Sequence, residues 1–528
     1  MKKLIAAIMS LCILGGTLPA VYSGAPECAI TASAVEIVDS GDISEELSWT
    51  FDDEGTLTFS GKGELPDYNW TNKPWGEDIK SIIIENGITI IDPRAFVNCY
   101  SVESITVADS VTSIGKSAFA GCTSLKSITL SASVTSIEDD TFWLCNSLKS
   151  ITIPDSVKSI GWRAFYQCSS LESVEIPDSV TSISAIAFKE CSSLRSIDIP
   201  NSVTTIEDGA FAYSGLESVT IPDSVTRIGE YEFEFCEYLK SITIPDSVTS
   251  IGKNAFSCTG LESITIPDSV TSIGEGAFSS CVSLKLVTMS DSVTSIGATA
   301  FYNCESHKLV TMSDSVTSIE GNTFSNCTSL RSINIPDSVT IIGVAAFSNC
   351  TSLKSINIPD SVTIIGGSAF CDCTNLKSIT LPDSVTGIGG KALHNCFNLQ
   401  SVAIMNPDCE IYDSKDTIYI YRGAIYGHSG STARLYALKY GNLFVDIDKF
   451  SPPHEYGDAN EDDEINMSDV VMVMQAYLNP TKYGVKGTSP DRITAEGEKA
   501  GDVDGKAGLT ANDALIIQRY SLKLIDNF

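Results

Sequence analysis

The residues best suited to chemistry in this sequence form an acidic loop near the C-terminus, between Asp458 and Asp469. Its positions 1, 3, 5, 9 and 12 carry oxygen-bearing side chains, and position 7 can offer a backbone carbonyl. These residues are Asp458, Asn460, Asp462, Glu464, Asn466 and Asp469. Ca²⁺ takes about six to eight oxygen ligands from a loop of this spacing, usually with glycine at position 6. The sequence therefore predicts a calcium site, with Asp463 standing where the glycine is usual.

A second loop of the same kind begins 44 residues later and runs from Asp502 to Asp513. Its candidate ligands are Asp502, Asp504, Gly508, Thr510 and Asp513. Position 5 is Lys506, whose ammonium group only donates hydrogen bonds, so we expect weaker calcium binding here. A single acidic loop could be a solvated surface feature. Each of these two loops, however, is preceded by glycine and followed by an apolar helical segment, which favours a duplicated metal-binding unit.

This duplicated loop–helix unit, with aspartate at position 12 of both loops, resembles the dockerin family over about 70 residues. The resemblance implies calcium-dependent binding to a cohesin module of a scaffoldin, within a cellulosome. It also implies that the cohesin recognises loop positions 10 and 11 and the helix that follows. In this chain those residues are Met467, Ser468, Met474, Gln475, Ala511, Asn512, Gln518 and Arg519.

No arrangement typical of a hydrolase accompanies these loops in the sequence. The chain has four histidines, and none pairs with another at the H-x-x-x-H spacing of zinc hydrolases. The segment from Gly427 to Gly430 is one residue short of the G-x-S-x-G motif, so we interpret it as a turn. We therefore predict a protein that is not an enzyme.

Most of the chain consists of an internal repeat, S-I-T-I-P-D-S-V-T-S-I-G-x-x-A-F-x-x-C-x-S-L, from about Ile79 to Leu399. A phenylalanine marks each copy and Leu393 marks the last one. The phenylalanines are Phe96, Phe119, Phe142, Phe165, Phe188, Phe211, Phe233, Phe256, Phe278, Phe301, Phe324, Phe347 and Phe370. The step is 23 residues, with two steps of 22. Since so short a unit cannot bury its own core, the copies must stack as coils of a solenoid.

Each copy predicts a strand, a bend and a turn. In the coil that contains Phe165, Ile151 and Ile153 alternate as a half-buried strand requires. We interpret Gly161 as a tight bend. The spacing of Phe165 and Cys168 fits a short helical or 3₁₀ turn.

These repeats resemble the BspA-like bacterial leucine-rich repeats over about 320 residues. The resemblance implies a right-handed solenoid whose S-I-T-I strands line one face. The predicted fold class is thus a leucine-rich-repeat solenoid of parallel β-strands with short helical or 3₁₀ turns. A small α-helical dockerin with two EF-hand-like calcium loops follows it.

The remaining segments fit a signal peptide, two caps and a linker. A basic start and an apolar run from Leu4 to Leu14, too short to span a bilayer, predict a secretory signal. A hairpin is predicted before the first repeat, and a helix from Ser431 to Tyr440 after the last. The predicted segments are a signal peptide (1–34), an N-terminal cap (35–78), about fourteen repeats (79–412), a C-terminal cap (413–448), a linker (449–456) and a dockerin (457–528).

Thirteen of the 17 cysteines recur at the period of the repeat, most of them three residues after the phenylalanine. They are Cys99, Cys122, Cys145, Cys168, Cys191, Cys236, Cys258, Cys281, Cys304, Cys327, Cys350, Cys373 and Cys396. Adjacent coils are about 4.8 Å apart, beyond the roughly 3.5–4.5 Å between disulfide Cβ atoms. We therefore predict buried free thiols, with metal or redox chemistry as the alternative. Cys371 and Cys409 break the pattern and are expected to be the reactive ones.

Charge excludes some classes of partner. Acidic residues outnumber basic ones 66 to 34, which gives a formal charge of −32 that repels nucleic acid and anionic lipid. No segment of the sequence is apolar enough to span a membrane. We predict a secreted, extracellular protein of a cell-surface cellulosome, docked on a scaffoldin cohesin, whose solenoid binds another protein or a polysaccharide. The alternatives are a regulatory or inhibitory module for partner enzymes and a cell-surface adhesin.

Overall fold

The computed structural model describes residues 35–67, 73–76, 78–421 and 423–449, together with residues 473, 474 and 476. Over this range the chain forms a solenoid of stacked coils joined by parallel strands, which confirms the predicted repeat fold. The predicted signal peptide, the linker from residue 450 onward and nearly all of the predicted dockerin lie outside the described residues.

The first row of strands is formed by the S-I-T-I phrase. Ile151 is buried and Thr152 is exposed, as the alternation predicts. Successive strands pair in parallel and in register, for example Ser150 with Ser173. The strands of this row are Ser81–Ile84, Ser104–Val107, Ser127–Thr129, Ser150–Thr152, Ser173–Glu175, Ser196–Asp198, Ser218–Thr220, Ser263–Ile266, Leu286–Met289, Leu309–Thr311, Ser332–Ile333, Ser378–Leu381 and Ser401–Ile404.

A second row of shorter parallel strands, which the sequence analysis did not assign, follows the P-D-S-V turn. Ile160 is buried and pairs in parallel with Ile183 of the next coil. Most of these strands have only two residues, too few for an alternating pattern to reveal them. They are Gly63–Leu65, Ile88–Ile91, Ser113–Ile114, Ser159–Ile160, Ser182–Ile183, Thr205–Ile206, Ser250–Ile251, Ser272–Ile273, Ser295–Ile296, Ser318–Ile319, Ile341–Ile342, Ile364–Ile365, Gly387–Ile388 and Glu410–Ile411.

The segment around each phenylalanine consists of consecutive hydrogen-bonded turns. Within one coil, the Ala164 N–H donates to the Gly161 carbonyl at 3.2 Å, and the Cys168 N–H donates to the Phe165 carbonyl at 3.1 Å. This three-residue spacing is that of a 3₁₀ turn, as predicted. The Phe165 N–H instead donates to the carbonyl of Ala187 in the next coil at 2.8 Å. The turns therefore also form a ladder along the solenoid.

Gly161 lies between the strand Ser159–Ile160 and the following turn, and its backbone packs closely against the preceding coil. A Cβ atom on Gly161 would lie 2.7 Å from the backbone nitrogen of Asp139 in the preceding coil. The left-handed backbone positions of this coil are Arg163 (φ 55°) and Gln167 (φ 61°), two residues on either side of the phenylalanine.

The phenylalanine side chains form the axis of the core. The ring of Phe165 lies 5.3 Å from that of Phe142 and 5.1 Å from that of Phe188, measured between centroids. The stack continues from Phe96 to Phe370. Each ring is thus covered on both faces by its neighbours in the adjacent coils, and a coil cannot bury its core alone.

The N-terminal end of the solenoid is closed by three antiparallel strands, Ile37–Asp42, Leu47–Asp52 and Thr56–Gly61. The predicted hairpin is formed by the last two of these strands. The third strand then pairs in parallel with Ser81–Ile84, so the hairpin continues into the first row. Phe59 packs edge-to-face against Trp75 at 5.1 Å and against Phe96 at 5.5 Å, which covers the end of the phenylalanine stack.

The C-terminal end is closed by two further strands, Ala424–Gly427 and Leu443–Asp446, which extend the first row. The predicted helix lies between them at Thr432–Tyr440, and a 3₁₀ helix follows at Ile447–Lys449. Ser431 caps the helix by accepting a hydrogen bond from the Arg434 N–H, and Gly441 ends it with a left-handed φ of 74°. In the described part of the chain, no helix has the length and apolar character needed to cross a bilayer.

Candidate binding surfaces

The calcium and cohesin-binding candidates belong almost entirely to the undescribed part of the chain. Met474 is the exception: it lies in a helix and is half-buried, beside the buried Val473 and Ala476. The other candidate ligands and recognition residues lie outside the described residues. Their roles therefore remain predictions.

The exposed face of the first strand row is flanked by ion pairs that link adjacent coils. Lys126 Nζ lies 2.8 Å from a carboxylate oxygen of Glu103, and Lys285 Nζ lies 2.8 Å from one of Glu262. Because these side chains are exposed, solvent screens the attraction and each pair adds little to stability. The pairs recur from coil to coil, as expected of a structural ladder rather than of a catalytic site.

Two rows of side chains donate hydrogen bonds to carbonyl groups of the preceding coil. The Ser179 hydroxyl donates to the Val157 carbonyl at 2.6 Å. The Cys168 thiol donates to the Phe142 carbonyl at 3.1 Å. The Phe142 carbonyl also accepts a hydrogen bond from the Cys145 N–H at 3.1 Å, so the thiol is its second donor. The serine of the P-D-S-V turn and the cysteine of the F-x-x-C turn are therefore structural.

The thirteen periodic cysteines are free thiols. All of them except the half-buried Cys258 are buried, which confirms their predicted burial. Burial raises the pKa of Cys168 to about 12, so this thiol remains a neutral donor near neutral pH. Ser214 and Thr259 take the same place in the two coils that precede the 22-residue steps. Their hydroxyl oxygens lie 3.3 Å and 3.2 Å from the sulfur of the next ladder cysteine. Two coils therefore form with a small hydroxyl side chain in place of the thiol.

Cys371 and Cys409 are not the reactive thiols that the sequence analysis expected. Burial raises the pKa of Cys409 to about 11 and is the main reason that the pKa of Cys371 rises to about 12. Cys99, at the start of the ladder, shows the opposite shift. A hydrogen bond from Cys122 and the nearby Lys73 ammonium lower its pKa to about 7. Lys73 Nζ donates to the Cys99 sulfur at 3.1 Å.

The His428–Ser429 turn brings a histidine, a serine and two carboxylates together but does not form a triad. The Ser429 hydroxyl donates to Asp446 at 2.8 Å. His428 Nδ1 lies 2.6 Å from Asp448, whose pKa is lowered by the Ser429 N–H and by His428. A serine hydrolase needs a hydrogen bond between the serine hydroxyl and the histidine ring. The interpretation as a turn is therefore confirmed. In the ranges that the structure describes, no three His, Cys, Asp or Glu side chains converge as metal ligands.

Two family models match this sequence. The model described as BspA type leucine rich repeat region matches residues 75–195, 181–308 and 294–415. The model described as dockerin type I domain matches residues 456–522. Neither of these modules is a catalytic domain.

A solved leucine-rich repeat protein from Bacteroides ovatus is 29% identical to this chain, with a TM-score of 0.55. The match covers 72% of this chain and 99% of that protein. A cohesin–dockerin complex from Ruminococcus flavefaciens contains a chain that is 47% identical over 14% of this sequence and 94% of its own. Its TM-score of 0.14 is too low for a structural argument.

A curated xylanase/beta-glucanase from Ruminococcus flavefaciens is 42% identical to this chain over 72 residues. The shared segment covers 13% of this chain and 9% of that enzyme. This chain therefore spans less than a tenth of the length of the curated relative. The shared segment has about the size of one small module.

Proposed function

Because the chain belongs to the BspA-type leucine-rich-repeat family and carries a type I dockerin domain, we propose that it is a secreted, non-catalytic component of a cellulosome. Its dockerin binds a cohesin module of a scaffoldin in the presence of Ca²⁺. Its solenoid then presents a binding surface for a polysaccharide or protein ligand. The observation that carries this proposal is the presence of a docking module and a repeat solenoid on one chain.

The composition of the two acidic loops supports the calcium part of the proposal. In the first loop, Asp458, Asp462 and Asp469 provide hard anionic oxygens, the ligands that Ca²⁺ prefers. The remaining ligands are the side chains of Asn460 and Asn466 and the carbonyl of Glu464. In the second loop they are Asp502, Asp504, the carbonyl of Gly508, Thr510 and Asp513. Bound Ca²⁺ supplies the charge that lets these carboxylates lie close together, so folding of the module is linked to the metal.

The extent of the shared segment supports docking rather than catalysis. The 72 residues shared with the xylanase/beta-glucanase are too few for a typical catalytic domain. Two proteins that differ elsewhere but share such a segment are best explained by a common attachment module. Cohesin recognition is proposed for Met467, Ser468, Met474 and Gln475 of the first copy. In the second copy it is proposed for Ala511, Asn512, Gln518 and Arg519.

The test is capture of the full-length secreted protein on a panel of immobilised scaffoldin cohesins, with Ca²⁺ and after chelation. We expect chelation to abolish capture and added Ca²⁺ to restore it. The circular dichroism of the solenoid should persist, because its described residues offer no metal site. Cohesin capture that survives complete chelation would contradict the proposal.

Substitutions in the two loops test the individual candidate calcium ligands. Asp458→Ala removes a ligand from the complete loop and should weaken capture more than Asp502→Ala, since Lys506 already weakens the second loop. Asp463→Gly is the matched control, because it removes a carboxylate from the first loop at the position where glycine is usual. It should leave capture intact. Equal effects of Asp458→Ala and Asp463→Gly would argue against these metal ligands.

A further inference from the structure

The second residue after each marker phenylalanine has a left-handed backbone in coil after coil. Many coils place there a residue that tolerates this conformation: Asn98, Gly121, Asn303, Asn326, Asn349 and Asn395. Five consecutive coils instead carry larger side chains, with φ between 56° and 62°: Leu144, Gln167, Glu190, Tyr213 and Phe235. Larger side chains therefore occupy this position over one continuous stretch of the solenoid, and the smaller Cys258 and Ser280 follow in the next two coils.

Burial in the core does not account for these five residues. The left-handed region is unfavourable for L-residues other than glycine and asparagine or aspartate. None of the five side chains fills the core, since all are half-buried or exposed, and 39% of Tyr213 is accessible. Large side chains retained at an unfavourable backbone position and directed toward solvent indicate a surface that makes contacts.

Four of the five residues line a single groove of about 610 Å³, which we name the turn-side groove. Its lining consists of Leu144, Gln167, Glu190 and Tyr213, together with Asn146, Ser169 and Ser192. The last three lie two residues further along their coils. The groove therefore follows the solenoid axis across four coils. The phenylalanine rings of adjacent coils in this stretch have centroids 5.1–5.7 Å apart.

Hydrogen bonds hold the polar groups of the turn-side groove in place. Gln167 Nε2 donates to Glu190 Oε2 at 2.9 Å, and the Tyr166 hydroxyl donates to Glu190 Oε1 at 3.1 Å. At one end of the groove, Tyr213 stacks on Phe235 with centroids 4.5 Å apart and an angle of 15°. The groove thus combines an oriented carboxylate and amide with a rigid aromatic platform.

Further exposed rings belong to a coil that the turn-side groove crosses and to the coil after its end. Trp162 is 41% exposed and stacks under the guanidinium of Arg163, whose carbon lies 4.6 Å from the ring centroid. Tyr238 is 54% exposed and is held in the same way by Arg195 at 4.8 Å. Lys189 Nζ lies 5.1 Å from the ring of Tyr213. The two arginines also pair with Asp140 and Glu217, so these cations do not form a free basic patch.

We propose that the turn-side groove binds a neutral polysaccharide of pyranose rings, with its chain parallel to the solenoid axis. This inference rests on the proposed function and names the ligand class of the solenoid. A flat exposed ring offers a surface to the C–H face of a sugar. Carboxylate, amide and hydroxyl groups pair with its hydroxyls. A linear polymer can repeat these contacts from coil to coil.

The charges of the surrounding residues favour a neutral polymer over an anionic one. Glu190 lies within the groove, Glu234 lies in the coil of the Phe235 platform, and the whole chain carries −32. A polyuronate or a nucleic acid would be repelled by this surface. A globular protein partner usually needs about 800 Å² of surface on each side, which favours a slender chain in a narrow groove.

The experiment is affinity electrophoresis and pull-down of the full-length protein with cellulose, xylan, mixed-linkage β-glucan and mannan, with polygalacturonate as the anionic probe. The test variant is the double substitution Gln167→Asn, Tyr213→Asn. Each change installs the asparagine that other coils use at this left-handed position. Because the variant loses the Gln167–Glu190 bond and the Tyr213–Phe235 stack, circular dichroism must first show that it is folded. We expect the parent to bind at least one of the four neutral polymers and the variant to bind it roughly tenfold more weakly.

Tyr302→Ser is the control. Tyr302 is a half-buried aromatic residue in the corresponding turn of another coil, and it does not line the groove. It should leave polysaccharide binding unchanged. Unchanged binding by the double variant, failure of the parent to bind any of the four neutral polymers, or binding of polygalacturonate alone would each overturn the proposal. Calcium-dependent capture by cohesin is measured on the same preparations. Its loss would contradict the proposed function without affecting the result for the groove.

Discussion

At the scale of single residues, Glu232 is the clearest departure from the repeat, because most coils have alanine before the marker phenylalanine. Its side chain is fully buried. The Gly229 N–H donates to Glu232 Oε2 at 2.5 Å, whereas Oε1 has no hydrogen-bond partner among the described residues. Burial raises its pKa to about 8. Near neutral pH the carboxyl is therefore protonated in the folded coil and ionised in the unfolded chain.

This difference predicts how Glu232 affects stability with pH. Because the folded pKa is raised, its contribution is fully present below the unfolded pKa of about 4.5 and is lost as pH rises toward about 8, by about 1.4 kcal/mol per pH unit. Glu232→Ala should remove this part of the pH dependence and stabilise the solenoid near pH 8. Urea unfolding at about pH 5 and about pH 8 measures the effect.

The control for this prediction is Glu237→Ala, which removes an exposed carboxylate close by in the same coil. It should change the free energy of unfolding by no more than about 0.5 kcal/mol at either pH. If Glu232→Ala and the parent lose stability equally between the two pH values, the buried carboxyl does not titrate as described.

At the scale of one element, a coil, stability depends on side chains shared with its neighbours. Phe165 is fully buried between the rings of Phe142 and Phe188. Thr152, on the strand of the same coil, is exposed. The two positions therefore differ in environment although both recur throughout the repeat.

Phe165→Ala should lower the free energy of unfolding by roughly 3–5 kcal/mol, because it opens a cavity within the ring stack. Thr152→Ala removes only exposed atoms and should cost about 0.5 kcal/mol or less. Chemical denaturation followed by circular dichroism compares the two. Similar losses for both variants would mean that the inside and outside of the coil are wrongly identified.

At the scale of the whole molecule, the ends of the solenoid differ from its middle. Every internal coil is covered on both sides, but the first ring, Phe96, is covered from outside by Phe59 and Trp75. Solenoids of this kind need caps because an open end presents apolar surface and unpaired strand edges. The antiparallel sheet before the first repeat provides this cover.

Deletion of residues 35–78 should therefore expose the end of the ring stack and cause association or aggregation, measured by size-exclusion chromatography with light scattering. The control is deletion of residues 318–340, one internal unit of 23 residues, which lets the neighbouring coils join in register. That variant should stay monomeric and shorter by one coil. A monomeric, well-folded protein after removal of residues 35–78 would contradict the role of the cap.

The sequence by itself determined the features that are local or periodic. Each acidic loop is a run of twelve residues, so its candidate ligands, such as Asp458 and Asp469, can be recognised without any tertiary contact. The solenoid can also be recognised from the sequence, because each repeat copy packs between two similar copies. The recurrence of Phe165 and Cys168 at one spacing therefore revealed both the fold and the buried positions.

Tertiary structure decided the features that depend on which residues of different coils lie side by side. The bond from Cys168 to the Phe142 carbonyl joins residues 26 positions apart, and the close approach at Gly161 involves Asp139 of the preceding coil. Gln167 and Glu190 are likewise 23 positions apart, and only stacking places them in one groove. The sequence shows which residues are neighbours along the chain. These contacts join residues of adjacent coils, parallel to the solenoid axis, so they depend on how the coils stack.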